Sequence, residues 1–203
     1  MKFKFTGDIE KLREGISYVA KDMGFEVSED GFVIEGKKTD KKELTVKKSE
    51  NKAIIEYSEP AHFFRGIGIV IEHLNEESFE IKETVWFDTN GIMLDMSQGN
   101  DTLNIENVKI FLDKMAIMGL NSFYLYMEDN YDFKEEPYFG YFRSRYTMDE
   151  LREIDRYAGA LGIKVIPCIQ TLAHLSDVLK WYTFNDLKED SDTLLVGEEK
   201  VYV

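Results

Sequence analysis

Apolar residues recur in two rhythms along this chain, and the rhythm changes near residue 80. Before it, Lys2–Phe5 reads as a strand. Ile9, Leu12, Ile16, Val19, Ala20 and Met23 then fall at steps of three and four. That spacing predicts a helix, with Asp8 as its cap and Gly24 as its stop. Phe32–Glu35, Glu43–Lys47 and Ala53–Tyr57 read as three short strands, parted by turns at Gly36–Lys42 and Ser49–Lys52. Pro60 suits the first turn of a second helix, whose apolar side is Phe63, Phe64, Ile67, Val70, Ile71 and Leu74. Gly66 and Gly68 fall inside that helix, not between a strand and a helix, so they are no dinucleotide loop. They are expected to let the helix lie close on a sheet. The first 84 residues therefore predict a small α+β domain, in the order β-α-β-β-β-α.

Beyond residue 80, strands and helices alternate. Phe79–Phe87 reads as a connecting strand. Gly91–Asp95 is a short apolar run that ends in a carboxylate. A helix is expected over 105–118, with Gly119 as its stop, and a strand over 122–128. A loop rich in aromatics follows, from Asp129 to Tyr146. Thr147-Met148-Asp149-Glu150 has the pattern of a capping box at the start of the next helix, which stops at Gly162. Strand 164–170 then leads to His174. The junctions Met118-Gly119-Leu120-Asn121 and Leu161-Gly162-Ile163-Lys164 repeat at about forty residues, which implies parallel strands joined by helical crossovers. The expected class is α/β: the small domain over 1–84, then over 85–203 the opening part of a (β/α)8 TIM barrel, about three βα units. An open doubly wound sheet also fits the repeat, but no Gly-rich phosphate loop follows the first strand. Read this way, the chain stops before a barrel closes, and its open strand edge is expected to pair with other chains.

Charge narrows the classes. The net charge is −14. Nucleic-acid affinity rests on Lys and Arg neutralising phosphates, so nucleic acid is not an expected partner, nor is an anionic membrane. Residues 37–52 hold seven Lys against three acids; a run of this kind reads as a solvated hairpin face. One cysteine, Cys168, excludes an internal disulfide and reads as a small buried apolar residue. With no secretory-type opening and no apolar run of spanning length, the expected location is the cytoplasm.

The chemistry gathers at strand ends. Asp95, Glu128, Asp129 and His174 all stand at C-terminal ends of predicted parallel strands, which in a barrel face one mouth. A carboxylate beside a histidine fixes its tautomer and raises its basicity. A lone histidine is more often a surface residue, and Asp95 is equally suited to capping the loop that follows it. His62 and His73 sit on a helix flank and are expected to face solvent. The loop aromatics from Tyr138 to Phe142 suit either a sugar's apolar face or simple cover of the rim. Arg143 and Arg145 suit either a polar ligand or the acidic strand ends. The pattern calls for no metal and no cofactor.

At these residues the chain resembles a known family. Gly91-Ile92-Met93-Leu94-Asp95-Met96-Ser97, Leu120-Asn121-Ser122-Phe123 leading to Asp129, Tyr146-Thr147, and Val165-Ile166-Pro167 leading to His174 are similar in order and spacing to the opening third of the family-20 glycoside hydrolases, the β-N-acetylhexosaminidases. The resemblance spans about residues 85–176. Its nearest form is a bacterial branch with a tyrosine-rich second loop, here Glu128-Asp129-Asn130-Tyr131 to Tyr138-Phe139-Gly140-Tyr141. It implies removal of terminal N-acetylhexosamine from glycans with retention, the substrate's own 2-acetamido oxygen acting as nucleophile. It gives Asp129 and His174 a supporting role, bonded in series towards a glutamic general acid; Asp95, Glu128, Tyr138, Arg143 and Arg145, by their own positions at the strand ends and in the loop, are the expected substrate contacts. The chain departs from the family at four points. Asn90 stands where an Arg often grips the sugar. Cys168 and Gln170 stand where acids are usual, and Asn130 replaces the second acid of an Asp pair. The catalytic Asp–Glu pair belongs at a fourth strand end, whereas the only Asp-Glu here, Asp149-Glu150, opens a helix. The chain alone is therefore expected to be inactive. Two rival readings remain: a non-catalytic carbohydrate-binding or assembly module, and an unrelated barrel glycosidase with Glu128 and Asp95 as its carboxylates.

Overall fold

The computed structural model describes residues 1–97 and 102–202. Six strands form one mixed sheet: β1 (Lys2–Gly7), β2 (Glu26–Val27), β3 (Phe32–Lys38), β4 (Glu43–Lys48), β5 (Lys52–Tyr57) and β6 (Phe79–Thr84), in the order β2-β1-β3-β5-β4-β6. The β1, β2, β3 and β5 pairings are parallel, while β4 runs antiparallel to both β5 and β6. The register Phe5↔Ile34↔Ala53 brings apolar residues side by side on one face. Against the sheet pack α1 (Arg13–Met23), which buries Ile16, Val19 and Ala20, and α2 (Pro60–Glu72), which buries Phe63, Phe64, Ile67 and Val70. Phe63 is fully buried between Phe5 and Tyr57, at ring separations of 6.3 and 5.2 Å. Burial of one such ring stabilises by about 1.5–3 kcal/mol.

Three strands form a second sheet, in the order β7-β8-β9: β7 (Gly91–Asp95), β8 (Ser122–Met127) and β9 (Lys164–Ile169). Helix α3 (Ile105–Ile117) links the first two and α4 (Met148–Ala160) the last two. The strands are parallel. Asn121 N–H donates to Asn90 C=O at the start of β7 and β8, and Met96 N–H donates to Tyr126 C=O at their end; Lys164→Asn121 and Gln170→Met127 repeat this for β8 and β9. This is the βα repeat that the sequence predicts, and the fold is α/β with one mixed and one parallel sheet. Among the described residues no helix is long and apolar enough to cross a membrane.

The repeated junctions have one cause. After α3, Gly119 takes φ 78° and Leu120 N–H reaches Met115 C=O; after α4, Gly162 takes φ 72° and Ile163 N–H reaches Ala158 C=O. Both are left-handed glycine caps that turn the chain into a strand. The capping box also forms: Thr147 N–H donates to Glu150 Oε2 at 2.8 Å, and Glu150 N–H donates to Thr147 Oγ1 at 3.2 Å.

Several details differ from the periodicity. The strand expected over 79–87 is β6, and it ends at Thr84 as a sheet edge beside β4. The two-residue β2 is too short to leave a period. In the lysine-rich run Lys48 is buried, because its ammonium reaches Glu76 C=O, while the other lysines stay exposed. His62 is half-buried against Ser58 Oγ at 3.0 Å, and burial lowers its pKa. The two helix glycines differ in purpose. A Cβ at Gly66 would meet Ile55 Cγ2 of the sheet at 2.5 Å, but one at Gly68 would meet Ile117 of α3 at 2.9 Å.

The chain divides into two compact units that interleave in sequence. Unit 1 is Met1–Ile92, Glu106–Ser122 and Asp155–Lys164; unit 2 is Met93–Ile105, Phe123–Ile154 and Val165–Val203, of which Gln98 to Asp101 and Val203 lie outside the described residues. Unit 1 contains the six-stranded sheet and its helices. Unit 2 holds the C-terminal parts of β7, β8 and β9 with the segments that follow them, and one core of Leu175, Val178, Leu179 and Phe184.

Candidate active site

In unit 2, β8 runs from buried Phe123, Leu125 and Met127 straight into three buried polar residues, Glu128, Asp129 and Asn130. An apolar strand that stays buried past its end forces those side chains out of water. Asp129 is 1% exposed. Arg143, from the loop between β8 and α4, comes back over this end. Its Nε lies 3.3 Å from Asp129 Oδ1, its Nη1 2.5 Å from Asp177 Oδ2, and its Nη2 donates to Met96 C=O at 3.2 Å. One guanidinium thus gathers the segments that follow β7, β8 and β9. Its contact with Asp129 is ionic without hydrogen-bond alignment, since the buried Oδ1 accepts no hydrogen bond.

The electrostatics follow from burial. Loss of solvent pushes the Asp129 pKa up; Arg143 opposes this, Asp177 adds to it, and the net direction is upward. Burial also favours the neutral acid at Asp177, but Lys180 and Arg143 outweigh it and hold that carboxylate below its ordinary value. Tyr131, half-buried nearby, is raised by burial and then by the charge of Asp129.

The remaining predicted residues take distinct places. Asp95 is exposed, and its Oδ1 accepts Ser97 N–H at 2.8 Å, the loop-capping use. Glu128 is buried beside Asp129 in sequence. His174 is exposed in the bend after β9, at a left-handed φ of 58°, and no hydrogen bond among the described residues joins it to Asp129. Arg145 donates to Phe139 C=O at 2.7 Å and lies 3.9 Å from Asp132. Tyr138 is half-buried and touches Tyr141, Trp181 and Tyr182, with ring centroids 5.4, 5.9 and 6.2 Å away. Gln170, where the family usually has an acid, donates its amide to Tyr126 OH at 2.7 Å. Cys168 is half-buried on β9. Beside the end of β9 lies a cavity of about 510 Å³, with Gln170, Tyr131, Phe139, Leu175 and Leu194 in its wall.

The sequence reading missed Asp177 and Trp181. Asp177 opens the short helix α5 (Ser176–Leu179) three residues after His174, and its Oδ1 also pairs with Lys180 at 3.0 Å. The signal was there as Asp177-x-x-Lys180-Trp181, a charged pair at helical spacing beside an aromatic.

Solved structures share this fold. The chain aligns with the family-20 exo-β-N-acetylglucosaminidase of Vibrio harveyi in complex with N-acetylglucosamine at TM-score 0.77 and 17% identity, over 98% of this chain and 39% of that one. For the family-20 β-N-acetylhexosaminidase of Streptomyces coelicolor the values are 0.77, 18%, 99% and 50%. For the Flavobacterium johnsoniae chitobiase they are 0.75, 20%, 100% and 38%. The chain thus spans half or less of the length of these enzymes, and at such identity the likeness establishes the fold. No curated protein matches the chain. The model of the glycosyl hydrolase family 20 catalytic domain matches residues 87–200, more than half of the sequence, and with that match the chain belongs to glycosyl hydrolase family 20.

Proposed function

We propose that this chain carries the supporting half of a site that removes terminal β-linked N-acetylglucosamine or N-acetylgalactosamine from glycans. The observation that carries the reading is Asp129, buried at the end of β8 and faced by Arg143, in a family-20 chain. In this reading the substrate's 2-acetamido oxygen attacks the anomeric carbon and a glutamic acid protonates the leaving oxygen. Asp129 and His174 orient and tune that acid. Asp95, Glu128, Tyr138, Arg143 and Arg145 line the approach, and a sugar hydroxyl reaches Arg143 by sharing it with Asp129 and Asp177. Residues 1–84 form a separate domain ahead of the catalytic one. The acid itself comes from outside these 203 residues. Glu150, of the only Asp-Glu pair, is engaged with the amide and hydroxyl of Thr147.

Two measurements test this. Calorimetry with N-acetylglucosamine is expected to give a Kd of about 1 mM (roughly −4 kcal/mol), lost in Asp129→Asn with unchanged circular dichroism. Absence of binding would sink the reading. A chromogenic N-acetylglucosaminide is expected to release no chromophore with this chain; release that disappears in His174→Ala would overturn the division into supporting half and external acid. Strands β7 and β9 are the edges of their sheet, which supports a further expectation of self-association. A clean monomer by light scattering at about 100 μM would refute it.

A further inference from the structure

Helices α1 and α3 leave a cleft of about 610 Å³ between them in unit 1, and Tyr157 of α4 completes its wall. Asp113 stands in that wall and is 4% exposed. Its two oxygens share one donor, the Tyr157 hydroxyl, at 3.0 and 2.9 Å. A carboxylate offers about four acceptor positions, so most of them stay unused. No ion pair among the described residues includes Asp113. The lysines of α3 near it are taken by other acids, Lys109 by Glu106 at 3.1 Å and Lys114 by Asp22 at 2.6 Å. Lys21 of α1 lines the cleft from an exposed position and is in no ion pair among the described residues. Burial, with Asp22, raises the Asp113 pKa to about 6, against the Tyr157 bond and the charges of Lys114 and Lys21. At pH 7 the cleft therefore presents a buried anion, and buried charges are normally paired.

The surroundings fit a cation with a carbon body. Tyr18 stacks on Tyr157, with ring centroids 4.0 Å apart and planes 7° from parallel. Tyr18 OH donates to Glu14 and accepts from Arg156 at 2.9 Å, which fixes the stack. Ring faces attract ammonium groups, and the Lys109 ammonium already lies 5.7 Å from the Tyr157 centroid. Ile110, 50% exposed, adds apolar surface to the same cleft. A bare metal ion needs several oxygen ligands at once, and among the described residues no three acidic, histidine or cysteine side chains converge to supply them. The net charge of −14 draws cations to the surface as a whole.

We infer that the cleft between α1 and α3 binds a primary organic amine, its ammonium on the Asp113 carboxylate and its carbon chain along Tyr157 and Ile110. No residue of this cleft belongs to the strand-end site, so amine binding and glycan binding stand or fall separately.

The probe is n-butylamine, titrated calorimetrically into the whole chain at pH 7 and constant ionic strength, with 1-butanol as its uncharged counterpart. The amine is expected to bind with a Kd of about 1 mM and the alcohol at least about tenfold more weakly. Asp113→Asn keeps the shape and removes the charge, and should weaken the amine at least about tenfold. Lys21→Gln removes a competing cation from an exposed position and should tighten binding about twofold. Between pH 7 and pH 5 wild-type affinity should fall about tenfold, as Asp113 takes up its proton. Amine affinity unchanged in Asp113→Asn, or an alcohol that binds as well, overturns the inference, as does no binding at ~10 mM. If Asp113→Asn does not fold, Lys21→Gln and the pH profile decide: affinity indifferent to both overturns it.

Discussion

The two units of this chain obey different rules. Unit 1 is built by burial of apolar side chains. Its one deeply buried acid among the described residues, Asp113, has both carboxylate oxygens bonded to Tyr157 OH, at 3.0 and 2.9 Å. Unit 2 keeps exceptions. The buried side-chain atoms without a hydrogen-bond partner among the described residues, Asp129 Oδ1, Asn130 Oδ1 and Trp181 Nε1, all belong to it. So do the non-glycine residues at left-handed φ, Phe142 and His174. Unsatisfied groups and backbone strain lower stability, and chains tolerate them mainly where they serve a site. The contrast therefore supports the proposal that the strand-end site lies in unit 2, on grounds separate from the family match.

The largest expected effects probe what holds each unit. Phe63→Ala should cost about 3–5 kcal/mol by opening a cavity in unit 1. Arg143→Met should cost unit 2 about as much, ~3–5 kcal/mol, for another reason: it strands the buried Asp129 charge. Each unit has its own tryptophan, Trp86 in unit 1 and Trp181 in unit 2, so urea unfolding of single-tryptophan variants reads them separately. The double variant Arg143→Met with Asp129→Asn should recover most of the loss, because no charge is left unpaired. If the two single losses simply add, the ion pair is not what holds unit 2.

A smaller effect sharpens the contrast through pH. Burial, opposed by the Tyr157 bond and assisted by Asp22, raises Asp113 to about 6. With its folded pKa above the unfolded one, Asp113 binds a proton more tightly in the folded state. Its contribution is favourable at low pH and declines as pH rises from about 4 to 6, by about 1–3 kcal/mol in all. The stability of wild type minus that of Asp113→Asn should fall over that window; a flat difference would mean that Asp113 does not titrate there. The smallest expected change is Thr147→Ala, which removes the cap of α4 and should cost about 1 kcal/mol by thermal unfolding. A loss below about 0.3 kcal/mol would show that the capping box is ornamental.

The legible parts of this protein were those written in local rules. The βα repeat was visible because Gly119 and Gly162 end their helices by the same backbone bonds, and the Thr147 box because its partners are three residues apart. The six-stranded sheet was only partly visible. β2 is too short to show a period, and the burial of Lys48 depends on a carbonyl distant in sequence. At the site, position in the sequence marks the acidic strand ends, but local sequence gives Arg143 two equal uses, a ligand or the acids.

By itself the sequence determined the alternation of elements, the acidic surface and the family motifs, since composition, period and short spacing need no third dimension. Only the tertiary structure decided that Arg143 faces Asp129, that Asp177 joins it from 34 positions further on, and that Trp181 anchors Tyr141 and Phe142. These are encounters between strand ends and returning loops. No local propensity encodes them, because they exist only when packing has brought the segments together and removed the water between them.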